Sequence, residues 1–248
     1  MKIKQLIKQL SEFTGQKEED IQAKIDSKYY RSFKDYNSIP KDTFCSDMMI
    51  KYKDDINQHY SDIEYLNACL YFYKIGCRGL TRVVTKHLNL DPNLPIIDLG
   101  AGIGLSTFDL TSYFKGDIYY NNLMGKQMEF AQTILKDTKV KFVENYSSLK
   151  KVDVVLAFDY FEHFKDPIAE LNKVIRLLSP KYIVESSDFS HAFVGHSEHY
   201  IYKDELINHK RFKSLFVKEL IFEKGYKLHP LSKTTKCWNG EPRIWVKK

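Results

Sequence analysis

The chain has 248 residues, of which 43% are hydrophobic and 28% charged, and it carries a formal net charge of +6. Length and composition suit one large α/β domain, or such a domain with a helical addition, and exclude a disordered chain. Lysines and arginines are scattered among acids rather than massed, so the charge permits a phosphate-rich partner without identifying one.

Cys45, Cys69, Cys77 and Cys237 are few and irregularly spaced. They form neither a metal knuckle nor a disulfide framework, and a reducing cytoplasm is the expected setting. The basic N-terminus lacks a signal-type apolar segment, and no later run has the length of a membrane span, so no membrane partner is expected.

Ile3, Leu6, Ile7, Leu10 and Phe13 recur on one helical stripe, which predicts a helix that covers the main domain. Tyr29, Tyr30, Phe33 and Tyr36 follow at irregular spacing up to Pro40, as in a loop or short helices. Ser61 and Glu64 fit a capping box before a helix carrying Ile63, Leu66, Leu70 and Tyr73. After a break at Gly76 and Gly79, Leu80, Val83, Val84 and Leu88 mark another helix. Residues 1–88 therefore read as a helical extension, a cap or substrate-recognition segment, and residues 89–248 as the main domain.

The apolar run Leu94-Pro95-Ile96-Ile97 predicts a buried strand. It runs into Asp98-Leu99-Gly100-Ala101-Gly102-Ile103-Gly104 and then a helix over 105–114. Glycines allow a tight turn and the close approach of a ligand, and the helix start offers unpaired N–H groups. Further strands are predicted over 118–120, 140–143, 152–158 and 182–184. Helices are predicted over 127–135 and from Pro167 to Leu178, where Pro180 blocks continuation. The last third reads as a helix over 204–210 and strands over 215–222 and 243–246, ending in an antiparallel hairpin. The whole predicts an α/β fold with a doubly wound, mostly parallel sheet.

From residue 90 onward this order resembles the class I S-adenosylmethionine-dependent methyltransferases. Asp98, Gly100, Gly102 and Gly104 match that family's first motif. Segments 152–158, 159–164 and 171–180 look like its fourth strand, edge loop and following helix. The resemblance implies a seven-stranded, Rossmann-like core and S-adenosylmethionine as cofactor. It puts the methionyl part near Asp98 and Gly100 and the adenosine across Ala101, Gly102 and Gly104. It also expects an acid for the ribose hydroxyls at the end of the second strand, where this chain has Asn122 beside Asn121; an amide lacks the stronger anionic acceptor. Asn145 or Tyr146 falls where the family contacts adenine, and Asp159 borders the same cofactor. The absence of a P-loop Lys-Ser/Thr ending disfavours nucleoside triphosphates, while a nicotinamide-dependent dehydrogenase or a purely structural turn stays open.

Asp159, Glu162 and His163 resemble the acidic pair plus histidine of some metal-assisted methyltransferases, with His199 or His196 as a distant ligand for Mg, Mn or Zn. Alternatively the two acids cap a turn and His163 packs. His191, His196 and His199 cluster in a later loop; His199 is the leading general-base candidate and His196 the second, against an exposed polar loop. Tyr200 and Tyr202 are candidates to orient an acceptor. The expected reaction is methyl transfer to a small-molecule acceptor. The alternatives are a metal-assisted RNA methyltransferase and a catalytically inactive cofactor-sensing or partner-binding protein, which Asn122 would allow.

Overall fold

In the computed structural model, the strands β1 (Ile96–Leu99) and β4 (Val154–Ala157) are buried at every position. Their continuous apolar runs are what a parallel sheet covered on both faces requires. The structure describes residues 1–30, 39–51, 62–75, 81, 84, 88–189, 196–197, 199–233 and 243–248. Expectations for Phe33, Tyr36, Ser61, Gly76, Cys77, Gly79, Leu80, Val83, His191 and Cys237 lie outside these residues.

Among the described residues, seven strands form one sheet in the order β3-β2-β1-β4-β5-β9-β8. The others are β2 (Ile118–Asn121), β3 (Lys141–Phe142), β5 (Tyr182–Glu185), β8 (Tyr226–Leu228) and β9 (Arg243–Lys247). β1 to β5 pair in parallel, whereas β9 runs antiparallel to both β5 and β8. This is the mostly parallel Rossmann-like sheet that the sequence predicts. Strand order reverses between β1 and β4, so the crevice at their carboxyl ends is where a ligand is expected.

α5 (Leu105–Leu110) and α6 (Lys126–Leu135) follow β1 and β2. α5 is shorter than the predicted 105–114. The Thr111 and Ser112 hydroxyls each donate at 2.7 Å, to Phe108 O and Asp109 O, carbonyls that a longer helix would use itself. α7 (Pro167–Leu178) begins where predicted: Asp166 accepts from Ala169 N at 2.8 Å, and Pro167 occupies the first turn. It stops at Ser179, left-handed at φ +46°, just before Pro180.

Among the described residues, the N-terminal helices include α1 (Ile3–Thr14), α2 (Glu18–Asp26), α3 (Phe44–Lys51) and α4 (Ile63–Ile75). Leu6, Ile7 and Leu10 of α1, Ile21 and Ile25 of α2, and Leu66 and Leu70 of α4 share one core with Tyr120, Phe130 and Ile134. These helices thus lie on the α6 side of the sheet. Lys24–Glu64 and Lys74–Asp26 ion pairs also join α2 to α4. At the head of α4, Asp62 accepts from Glu64 N at 2.8 Å.

The last third corrects the sequence reading. Residues predicted as a helix over 204–210 instead complete a two-stranded antiparallel unit, β6 (His199–Tyr202) and β7 (Glu205–Asn208). Its turn holds Lys203 and Asp204, both left-handed at φ +50° and +65°. Residues predicted as a strand over 215–222 belong to α8 (His209–Lys218) and a π-turn over Glu219–Glu223. Phe212, Phe216 and Leu220 are buried at a spacing of four, so the helical period governs an apolar run that also fits a strand.

Candidate active site

The turn after β1 is built from left-handed glycines: Gly100, Gly102 and Gly104 have φ of +64°, +54° and +78°. Ala101 N donates to Asn121 O at 3.0 Å, and Tyr120 Oη donates to Gly102 O at 2.6 Å, pinning the turn to β2. A β-carbon at Gly104 would sit 3.0 Å from Leu135 and 3.1 Å from Ala131. That glycine therefore serves the packing of α5 on α6.

This turn forms one wall of a cavity of about 690 Å³ at the crevice between β1 and β4. Asp98 borders it as a carboxylate only 1% exposed, with Oδ2 accepting from Thr107 at 2.7 Å. Burial pushes its pKa up to about 7, and the Thr107 hydrogen bond only partly opposes this. An incoming ammonium group would favour the charged form.

Asn121 and Asn122 both line the cavity. Asn121 donates to Val143 O at 2.8 Å and Glu144 O at 3.1 Å, which fastens the loop after β3. Asn122 donates to Gly102 O at 3.5 Å and Gln127 Oε1 at 3.4 Å, long bonds that leave its own amide oxygen as the acceptor for a hydroxyl. Asn145 caps the turn Tyr146–Ser148 by accepting from Ser147 N at 3.0 Å. Tyr146 is buried, with its hydroxyl donated to Glu170 and its ring 5.0 Å beneath Lys173 Nζ.

Beyond β4, Asp159 is left-handed at φ +46° and lines the cavity with Phe158, Tyr160, His163 and Phe164. Glu162 does not line it. Its side chain is wholly buried, Oε1 accepts from Asp188 N at 3.0 Å, and Oε2 has no hydrogen-bond partner among the described residues. Burial, reinforced by the Asp159 charge, holds its carboxyl well above the usual range. His196 stacks edge-on against His163, with ring centroids 4.8 Å apart. His199 is exposed at the start of β6, and Lys165 Nζ donates to its carbonyl at 3.1 Å. The site thus gathers Asp98, the glycine turn, Asn122, Asn145, Tyr146, Asp159 and His163 around one cavity and leaves Glu162 and His199 outside its lining. Among the described residues, no three His, Cys, Asp or Glu side chains form a group that could hold a metal.

Sequence reasoning missed part of the lining. Tyr65, Cys69, Phe72 and Tyr73 of α4 close one side, and Glu170 and Lys173 of α7 another. The α4 signal was available as a second stripe, at 65, 69 and 72, beside the core-facing 66 and 70, with Tyr73 reaching both the core and the cavity; a helix apolar all round is covered on more than one side. Burial, with a contribution from Asp159, pushes the Cys69 thiol up to about 12.

Comparison with known proteins gives three results. The family model described as a methyltransferase domain matches residues 71–219. No curated protein sequence matches the chain. Among solved structures, phosphoethanolamine N-methyltransferase 1 of Haemonchus contortus, in complex with phosphoethanolamine and S-adenosylhomocysteine, is 15% identical with a TM-score of 0.53. That match covers 82% of this chain and 50% of the other. An S-adenosylmethionine-dependent methyltransferase from Aquifex aeolicus is 14% identical over 77% of this chain and 95% of its own, with a TM-score of 0.47. The cyclase SpnF is 19% identical over 44% and 43% of the two chains, at a TM-score of 0.39. The chain thus spans half or less of two of these three proteins. Among the described residues no helix is long and apolar enough to cross a membrane.

Proposed function

This chain belongs to the methyltransferase domain family, and from that premise we propose that it methylates a small molecule held in the cavity beneath α4. It is an S-adenosylmethionine-dependent methyltransferase; the small acceptor, the residue roles and the part played by residues 1–88 are our reading. The observation that carries the reading is the cavity itself: about 690 Å³, walled on one side by the α4 side chains. That volume lies within the usual range for small-molecule sites.

The residues present fit the donor. The left-handed glycines leave room for close backbone approach, Asp98 presents a buried carboxylate suited to an ammonium, and the Asn122 amide oxygen suits a ribose hydroxyl. S-adenosylmethionine, when bound, supplies a methyl group on a positively charged sulfur. The chain's own contribution is chiefly to align and to exclude water. Tyr65, Phe72 and Tyr73 shut solvent out from the α4 side. Among the lining groups, Asp159 and His163 are our candidates to take a proton from the acceptor, and His196 holds the His163 ring. Residues 1–88 act as the cap of the acceptor pocket; their support is the α4 wall and its shared core with α6.

The test is incubation of the full chain with methyl-labelled S-adenosylmethionine and either a metabolite extract or total RNA. Label in a low-molecular-mass product is the expected result. Label in RNA would replace the acceptor assignment, and failure of the protein to bind the donor would remove the whole reading.

A further inference from the structure

We propose that Gln127 is a positioning residue for the methyl donor: it holds the Asn122 side chain so that the amide oxygen alone meets the ribose, and meets one hydroxyl of it. This rests on the donor placement argued above and carries it to a residue outside the glycine turn. A carboxylate at position 122 would offer acceptors on both of its branches, whereas the amide of this chain offers one.

The orientation of that amide is decided by its neighbours. Asn122 Nδ2 lies 3.5 Å from Gly102 O and 3.4 Å from Gln127 Oε1. A main-chain carbonyl can only accept, so the branch of the amide that faces Gly102 O is the nitrogen. The Tyr120 hydroxyl belongs to the same seat: Asn122 hydrogen-bonds it, which opposes the rise that burial imposes on that phenol. Both measured distances are long, yet reversing the amide would set oxygen against oxygen at Gly102. The amide oxygen is thereby turned away from the glycine turn.

Gln127 brings its part of the seat across from α6. It stands in the first turn of that helix and is only 4% exposed. A side chain locked by its own packing can hold another in place. Its Oε1 would lie 3.4 Å from a β-carbon built on Gly102, so one oxygen sits against both the glycine turn and Asn122. Gly102, Asn122 and Gln127 all border the cavity. An acceptor oriented before the ligand arrives spares binding the cost of ordering it.

Titration calorimetry of the full chain with S-adenosylhomocysteine and its 2′-deoxy and 3′-deoxy forms tests the proposal without turnover. In the wild type one deoxy form should bind about 3- to 10-fold more weakly than the other. Gln127→Leu should lose most of that difference, whereas Gln127→Glu, which keeps an acceptor for the Asn122 nitrogen, should retain it. A general loss of packing would weaken all three ligands alike and leave the difference standing. Asn122→Asp, with equivalent oxygens, should narrow it. Deoxy forms that bind equally in the wild type, or a difference unchanged in Gln127→Leu, would overturn the role. If Gln127→Leu fails to fold, the other two variants decide: a difference lost in Gln127→Glu, or kept whole in Asn122→Asp, overturns it. Wild-type protein that binds no S-adenosylhomocysteine would instead sink the donor reading on which this one stands.

Discussion

Arg243 and Glu185 are register partners across the antiparallel β5–β9 pair, and their side chains close a two-pronged ion pair inside the sheet. Glu185 is wholly buried, and its carboxylate also accepts from Trp245 Nε1 at 3.1 Å and Ser187 N at 2.9 Å. Removing one partner strands a charge away from water. Arg243→Met should therefore lower unfolding free energy by about 3–5 kcal/mol, and the double change with Glu185→Leu should recover much of it. Urea denaturation of the three proteins measures both values.

Ligand-free stability should fall as pH rises from about 4 to about 7. Asp98 has an ordinary carboxyl in the unfolded chain but titrates near 7 when folded, so the folded state binds the extra proton across that interval. The stabilising effect is complete below the unfolded value and is lost as pH passes the folded one. Glu162 acts in the same direction, because burial also raises its pKa. Asp98→Asn should flatten the pH dependence, by on the order of 4 kcal/mol between the extremes. The check is thermal melting at a series of pH values; a curve as steep in Asp98→Asn as in the wild type would count against the assignment.

Two glycines with similar backbone angles should respond differently to alanine. A β-carbon at Gly15, where φ is +74°, would meet nothing within 4 Å, so Gly15→Ala should cost only the left-handed strain of about 1–2 kcal/mol. Gly104, at φ +78°, would drive its β-carbon against Leu135 and Ala131. Gly104→Ala should cost about 2–5 kcal/mol because helix crowding adds to the same strain. Chemical denaturation separates the two, and donor binding should survive Gly15→Ala.

His199 is exposed outside the cavity lining, whereas His163 lines it beside Asp159. His199→Ala should leave the methyl-transfer rate within about twofold, as for other exposed positions. His163→Ala should slow it by about 100-fold or more where the acceptor must lose a proton. Dialysis against a chelator should also leave the rate unchanged, since Glu162 is engaged with Asp188 N rather than turned into the cavity. Product formation from a metabolite extract measures all three.

The legible parts of the sequence are those where local chemistry and the tertiary fold agree. Ile96 to Gly104 announces a buried strand and a ligand-admitting turn, and Asp166, Pro167 and Pro180 bound α7 from either side. Residues 204–222 misled because Lys203 and Asp204 form a left-handed turn without a glycine, and because Leu215 to Phe222 is apolar enough for either period. Much of the site was hidden for a different reason. Tyr160 and Glu170 are ordinary residues when read apart, and only the approach of α7 to the β4 exit brings hydroxyl and carboxylate together.

β9 sits between β5 and β8, so β8 has no direct neighbour in the sheet until β9 arrives. During synthesis, residues 226–228 leave the ribosome before the strand that joins them to β5. Until residues 243–247 emerge, the β5 margin is open to other nascent chains. The protein should be most prone to clumping in that interval, and a stall between those two segments is where a chaperone would matter most.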